Sequence, residues 1–175
     1  MRAELERRRR QLAAVPTPDD DIGTRRVLVV EVGRERYGLP IEHVAGILRL
    51  TTLAPLPGLP AHVVGLSHQH GEVVGVIDIR AFFGVERPDL TDLPLAVVVR
   101  RDSHAGDGSL PGQLAILVDV VDRIEVLQPG GMHDPISTHT GMQEDYQLGT
   151  TPDGCLVLDL AHILDDPRLV IDLAH

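Results

Sequence analysis

Three histidines in one short stretch are the residues of this chain whose type and spacing could do chemistry. The chain has nine histidines, and His62, His68 and His70 form the tightest group. Imidazole nitrogens are common zinc ligands, and on an extended strand His68 and His70 would share one face, roughly 7 Å apart. No carboxylate stands at a metal-motif spacing beside them. We therefore interpret them as surface histidines and predict no metal and no cofactor.

No other motif assembles a catalytic group. The run from Gly65 to Gln69 lacks the closing glycine of a nucleophile elbow, and no helix follows it. No glycine-rich loop follows a strand and opens a helix, which argues against a nucleotide site. Cys155 is the single cysteine; it excludes an intramolecular disulfide and is interpreted as a small buried hydrophobe. The sequence predicts a protein that is not an enzyme.

Composition narrows the class of partner. The 175 residues carry a formal net charge of −10, so nucleic acid and anionic lipid would be repelled. No apolar run approaches the ~20 residues of a membrane span, and the first residues lack the apolar region of a signal peptide. We expect a cytoplasmic protein with no direct membrane insertion. With two Phe, two Tyr and no Trp, the core must come from Val, Leu and Ile, which favours many short strands.

The apolar pattern predicts ten strands after an N-terminal helix over residues 2–14. The predicted strands are Val27–Val32, Arg36–Ile41, Ile47–Leu50, Val63–Ser67, Glu72–Ile77, Leu95–Arg100, Leu114–Val118, Val121–Leu127, Tyr146–Gly149 and Cys155–Leu158. Asp78 and Asp159 follow two of these strands where a helical turn begins. We expect both to be structural caps, since a carboxylate can accept hydrogen bonds from the unpaired N–H groups of a helix start.

The second half of the chain repeats the first. The matching pairs are Val27–Val32 with Leu95–Val99, Ile41–Ile47 with Val118–Ile124, and Val76–Phe83 with Val157–Leu164. Three matches in the same order indicate two copies of one small β unit.

The order of these motifs resembles the CheW-like adaptor family of bacterial chemotaxis. The resemblance covers about residues 26–165 and rests on Val44-x-x-Ile47, Pro55-Leu56-Pro57, Gly65 with Gly71, and Val76–Arg80, echoed by Ala115–Asp122 and Leu156–Leu160. It implies a mainly β fold of two packed SH3-like five-stranded β-barrels with short capping helices. The expected barrel subdomains are residues 26–92 and 93–165, with strand exchange between them allowed, flanked by an arginine-rich helix and acidic linker (1–25) and a tail (166–175).

The resemblance also implies a function. Members of the family are non-enzymatic adaptors that couple chemoreceptors to a histidine kinase, so the expected partners are the kinase regulatory domain and the cytoplasmic tip of the receptor. By resemblance, the receptor contact falls on Val44, Gly65, Leu66, His70 and Gly71. The kinase contact falls on Gly46 and Ile47.

The sequence departs from the family pattern at these positions. The family usually carries Asn-x-Arg-Gly where this chain has His68–Gly71, and a glutamate where Gly46 stands. Histidine cannot reproduce the rigid donor fork of arginine. Two alternatives therefore stay open: a divergent double-barrel regulator in a pilus, motility or other pathway, and a small ligand- or metal-binding module that uses His62, His68 and His70.

Overall fold

The structure, a computed structural model, describes residues 23–85, 94–100, 113–135 and 144–169. The predicted N-terminal helix and the tail beyond residue 169 lie outside these ranges. No helix in the described part of the chain is long and apolar enough to span a membrane.

All ten strands expected from the sequence are present, and their ends differ from the expected ones by no more than three residues. They are β1 (Arg25–Val32), β2 (Glu35–Pro40), β3 (Val44–Arg49), β4 (Val63–Gln69), β5 (Glu72–Ile77), β6 (Leu95–Arg100), β7 (Gln113–Val118), β8 (Val120–Leu127), β9 (Gln147–Thr150) and β10 (Leu156–Leu158). Two short helices, α1 (Ile79–Phe82) and α2 (Leu160–Leu164), follow β5 and β10. The predicted mainly β architecture is confirmed.

The strands form two five-stranded sheets that draw on both halves of the chain. Sheet A has the order β8-β1-β2-β10-β9, and sheet B has the order β3-β6-β7-β5-β4. The pairs β2–β10 and β5–β7 are parallel, and the other pairs are antiparallel. The strands β1 to β5 correspond in order to β6 to β10. When each strand is replaced by its counterpart, the order of sheet A becomes the order of sheet B. The duplication in the sequence therefore has a counterpart in the topology, although neither sheet corresponds to one half of the chain.

The central strands are buried on both faces, which explains their uninterrupted apolar runs. In β1, Leu28 and Val30 face a core shared by the two sheets, while Val27 and Val29 face a smaller core on the other side of sheet A. Sheet B has a smaller core of its own, built around Leu50. Successive side chains of each central strand therefore point alternately into the central core and into one outer core.

The predicted closure of the sheets into SH3-like barrels is not confirmed. Within the described residues, β3 and β4 remain the two unpaired edges of sheet B. The chain between them contains Pro55, Pro57 and Pro60, which lack the N–H group that a ladder requires. One isolated bridge, between Ala54 and Leu66, is the ladder contact that this segment makes with β4.

Asp78 and Asp159 lie at the N-caps of α1 and α2. Asp78 is fully buried (0 % exposed); it accepts the Arg80 backbone N–H at 2.9 Å and the Arg80 guanidinium at 3.2 and 3.3 Å. Asp159 is half-buried and accepts the His162 N–H at 3.0 Å. The two caps are therefore unequal, because only Asp78 also balances a largely buried cation (14 % exposed).

We predict that Asp78→Ala costs more stability than Asp159→Ala. Among the described residues, removing Asp78 leaves Arg80 with only the exposed Asp119 carboxylate at 4.0 Å, a loss of up to about 3–5 kcal/mol. Removing Asp159 takes away a cap, a loss of about 0.5–2 kcal/mol. Urea unfolding of both variants measures the difference, and equal losses would contradict it.

The last described turn is fastened to the rest of the fold by Arg168. Its guanidinium lies 4.0 Å from the Phe82 ring centroid and donates to the Phe82 carbonyl at 3.1 Å, to the Tyr146 hydroxyl at 3.0 Å and to Asp166. The Tyr146 hydroxyl donates to Asp166 as well. His62 Nε2 donates to the Arg168 carbonyl oxygen at 2.8 Å, which ties the turn to the start of β4.

This cluster predicts an acid-sensitive contribution to stability. Burial alone would raise the pKa of the Asp166 carboxyl, but the hydrogen bonds from Arg168 and Tyr146 outweigh it and lower the pKa to about 2, against 3.8 ordinarily. A lowered folded-state pKa gives stability that is present above the unfolded pKa and is lost as pH falls through the folded one. The advantage of the wild type over Asp166→Asn should therefore shrink between about pH 4 and pH 2. Denaturant unfolding across that window measures it, and a constant advantage would contradict the assignment.

Candidate functional site

The three histidines do not form a metal site. The interpretation of His62 as a surface histidine is wrong: it is buried, hydrogen-bonded to the Arg168 carbonyl, and its ring meets the Phe82 ring edge-on at 5.6 Å. His68 and His70 are exposed. Within the described ranges, no three His, Cys, Asp or Glu side chains lie close enough together to hold a metal ion. Burial raises the pKa of the Cys155 thiol to about 11, which keeps that thiol protonated at neutral pH.

His70 and Gly71 form the tip of the β4–β5 hairpin. Their φ angles are 50° and 85°, and a two-residue loop with positive φ at both positions matches a type I′ turn. Gly71 meets this requirement without strain, and His is one of the few other residues that tolerate it. The backbone thus presents the exposed His70 side chain at the end of the hairpin.

Position 65 requires glycine, because the backbone of Ala54 passes very close to it. A Cβ atom built on it would lie 2.3 Å from the Ala54 carbonyl oxygen, so only glycine fits. Its counterpart Gly149 has the same relation to the His133 carbonyl oxygen, at 2.5 Å. Gly65 is buried, and it shapes the segment beside Leu66.

Val44 and Leu66 lie on the two edge strands of sheet B. Both are half-buried and pack against the central core. A β-bulge separates Val44 from Gly46, so the two positions face opposite sides of β3. Ile47 returns to the Val44 side and is 49 % exposed. The expected receptor and kinase residues therefore lie along the same edges of one sheet.

A cavity of about 250 Å³ connects these edges on the other side of sheet B. Its lining includes Gly46 and Ile47, which the resemblance assigned to the kinase, and His70, which it assigned to the receptor. It also includes residues that the sequence analysis missed, among them Glu72 and Arg100. The alternation of β5 offered a signal, because Glu72 shares a face with the buried Val74. The complete lining is Ala45, Gly46, Ile47, Leu48, Gln69, His70, Glu72, Val74, Val98, Arg100 and Gln113.

The sequence matches the model of one protein family. The model of the CheW-like domain matches residues 26–168. The chain belongs to the CheW-like domain family, and the prediction of a scaffold of this class is confirmed.

Particular relatives share the whole domain or half of it. The chemotaxis protein CheW of Treponema pallidum is 23 % identical over 155 residues, which is 82 % of this chain and 84 % of that one. Protein FrzA of Myxococcus xanthus is 37 % identical over 73 residues, which is 42 % of each chain. The crystal structure of the scaffolding protein TtCheW from Thermoanaerobacter tengcongensis has the same fold, with a TM-score of 0.69 and 16 % identity; the match covers 90 % of this chain and 97 % of that one.

We predict opposite outcomes for two glycines of the expected site. Gly65→Ala should cost more than about 1 kcal/mol, because the new methyl group meets the Ala54 carbonyl. Gly46→Ala is the matched control; its Cβ would meet nothing within 4 Å, so the change should stay within about 0.5 kcal/mol. Thermal unfolding of the two variants compares them. Wild-type stability in Gly65→Ala would contradict the close approach.

Proposed function

We propose that this protein is a non-enzymatic adaptor that couples chemoreceptors to a histidine kinase through contacts along the edges of its sheets. The chain belongs to the CheW-like family, and its relatives include a chemotaxis protein and a scaffolding protein. The proposed partners are the kinase regulatory domain and the cytoplasmic tip of the receptor.

The observation that carries the proposal is a pair of edge strands that each expose an apolar side chain. Ile47 on β3 is 49 % exposed and Ile124 on β8 is 50 % exposed. Unpaired edge strands with exposed apolar side chains are liable to pair with other chains, and soluble proteins usually blunt them unless they serve binding. An adaptor needs at least two such surfaces.

The two isoleucines occupy equivalent places. Ile47 pairs with Val97 of β6, and Ile124 pairs with Leu28 of β1. The sequence repeat already aligned Ile47 with Ile124, so it could have identified the β8 edge, which the resemblance did not include. We assign the kinase contact to Gly46 and Ile47 on β3 and a second protein contact to Ile124 on β8.

We propose that the receptor contact lies beside the β3 edge. Val44 and Leu66 supply half-buried apolar surface, which suits a helical partner laid into a groove. His70 and Gly71 form the hairpin tip at the end of β4. Gly65 contributes shape rather than contact, because it is buried against the Ala54 carbonyl.

A binding experiment tests the proposal. Ile47→Asp should weaken binding of the purified kinase regulatory domain by at least about tenfold, since it places a charge in an apolar contact. Ile124→Asp should reduce assembly of the ternary complex with receptor tip and kinase. Calorimetry measures the first and analytical ultracentrifugation the second.

Val85→Asp is the matched control, since Val85 is also an exposed β-branched apolar residue (37 %) but lies outside both edges. It should leave both measurements unchanged. A wild-type protein that binds neither partner would overturn the proposal, as would equal effects of all three substitutions.

A further inference from the structure

The charged side chains at one end of sheet A form ion pairs with one another. The Asp153 carboxylate accepts Arg36 at 3.2 Å and Arg123 at 3.2 Å, and Arg123 also donates to Glu125 at 3.0 Å. We call this set, Arg36, Arg123, Glu125 and Asp153, the A cluster. Its arginines come from β2 and β8, which are separated by β1 in the sheet.

The register of sheet B identifies the residue that replaces Arg123. Arg123 pairs with Val29 of β1. The counterpart of Val29 is Val98 of β6, and Val98 pairs with Gly46. Sheet B therefore has a bare glycine where sheet A carries the guanidinium that spans the A cluster.

The other members follow from the same register. Glu31 pairs with Arg36 in sheet A, whereas Arg100 pairs with Gln113 in sheet B, so Gln113 replaces the second arginine. Asp153 precedes Leu156 by three residues, as Glu72 precedes Gly75, and Leu156 and Gly75 are the equivalent first residues of the two parallel ladders. Sheet B has the carboxylate but neither of the two arginines, and Arg100 stands where sheet A has Glu31.

The 250 Å³ cavity lies where those arginine side chains would be. Glu72 lines it, and among the described residues no basic group lies within 4 Å of the Glu72 carboxylate. Gly46 has no steric need to be glycine, because a Cβ there would meet nothing within 4 Å. A glycine inside a strand often marks a β-bulge, and β3 has one beside Gly46, or a place where a ligand or another chain approaches closely.

We propose that the cavity takes an arginine side chain from a protein partner, with its stem along Val74 and Val98 and its guanidinium on Glu72. The inference rests on the proposed adaptor function, which makes the partner a signalling protein. The net charge of −10 favours a cationic side chain, and the A cluster shows that this fold accommodates one. Arg100 also lines the cavity, so a partner carboxylate on Arg100 is the competing outcome.

Gly46→Arg tests whether the partner uses the cavity, because it supplies an arginine side chain from the protein itself. The substitution restores the sheet A arrangement, so the new arginine should fill the cavity and weaken kinase-domain binding by at least about tenfold without loss of stability. Glu72→Gln should weaken binding roughly twofold to fivefold, as expected for a partly exposed ion pair. Glu35→Gln is the charge control and should bind like the wild type.

A small probe makes the test independent of the kinase. N-acetyl-arginine amide, titrated into the 15N-labelled full chain, should shift the amide signals of Gly46 and Glu72 in a saturable way. The shifts should weaken when salt rises from about 0.1 to 0.5 M and vanish in Gly46→Arg. N-acetyl-glutamate amide is the control probe and should cause no shifts.

The outcomes separate the two proposals. Absent shifts with the arginine probe, or shifts with the glutamate probe instead, overturn the arginine site whatever the kinase does. Undiminished kinase binding by Gly46→Arg, alongside loss of binding by Ile47→Asp, overturns the arginine site and leaves the adaptor function standing. A wild type that responds to the arginine probe but binds neither partner counts against the adaptor function alone.

Discussion

The fold depends on one apolar core that both halves of the chain must build together. Leu28 and Val30 from the first half face Val97 and Ile116 from the second across the space between the sheets. Within sheet A, β1 and β2 pair with β8 and β10, so even the ladders cross between the halves. Neither half can satisfy its backbone hydrogen bonds or bury its apolar face alone, and the two must therefore fold as one unit.

This arrangement fixes where partners can bind. Strands in the middle of each sheet are buried on both faces and offer no surface. The edges β3 and β8 lie at equivalent ends of the two sheets, and both keep an exposed isoleucine. The duplication thus yields two similar edges. They differ in charge, because Arg123 makes ion pairs at the end of sheet A, whereas Gly46 leaves an empty space at the equivalent place in sheet B. A scaffold that must distinguish partners can use such a difference.

Much of the local structure was predictable, because it depends on patterns of apolar and polar residues that are close in sequence. The apolar runs located every strand, and Asp78 and Asp159 were placed at helix starts by the change of periodicity after each run. The strand pairing was not predictable from these patterns. β2 pairs in parallel with β10, more than a hundred residues away, and periodicity within either strand carries no information about that neighbour. The barrel closure expected from the resemblance is not confirmed, because β3 and β4 do not pair with each other within the described residues.

The site was predictable to a smaller extent. Spacing along an extended strand grouped His62 with His68 and His70, whereas the fold buries His62 against Phe82 and leaves the other two exposed. Gly65 was noticed as a motif residue, but its cause, the Ala54 carbonyl, lies on a segment whose approach no local pattern reveals. The cavity became visible only once Gly46 could be compared with Arg123 through the register of both sheets.

Native-state hydrogen exchange tests the shared core most directly. Amides of β1 and β2 in sheet A and of β6 and β7 in sheet B should exchange through openings of the same free energy, equal to that of global unfolding, because each sheet contains strands of both halves. The same slowest class of amides should therefore span both sheets. Exchange of one sheet through an opening several kcal/mol below that of the other would contradict a single cooperative fold built on this core.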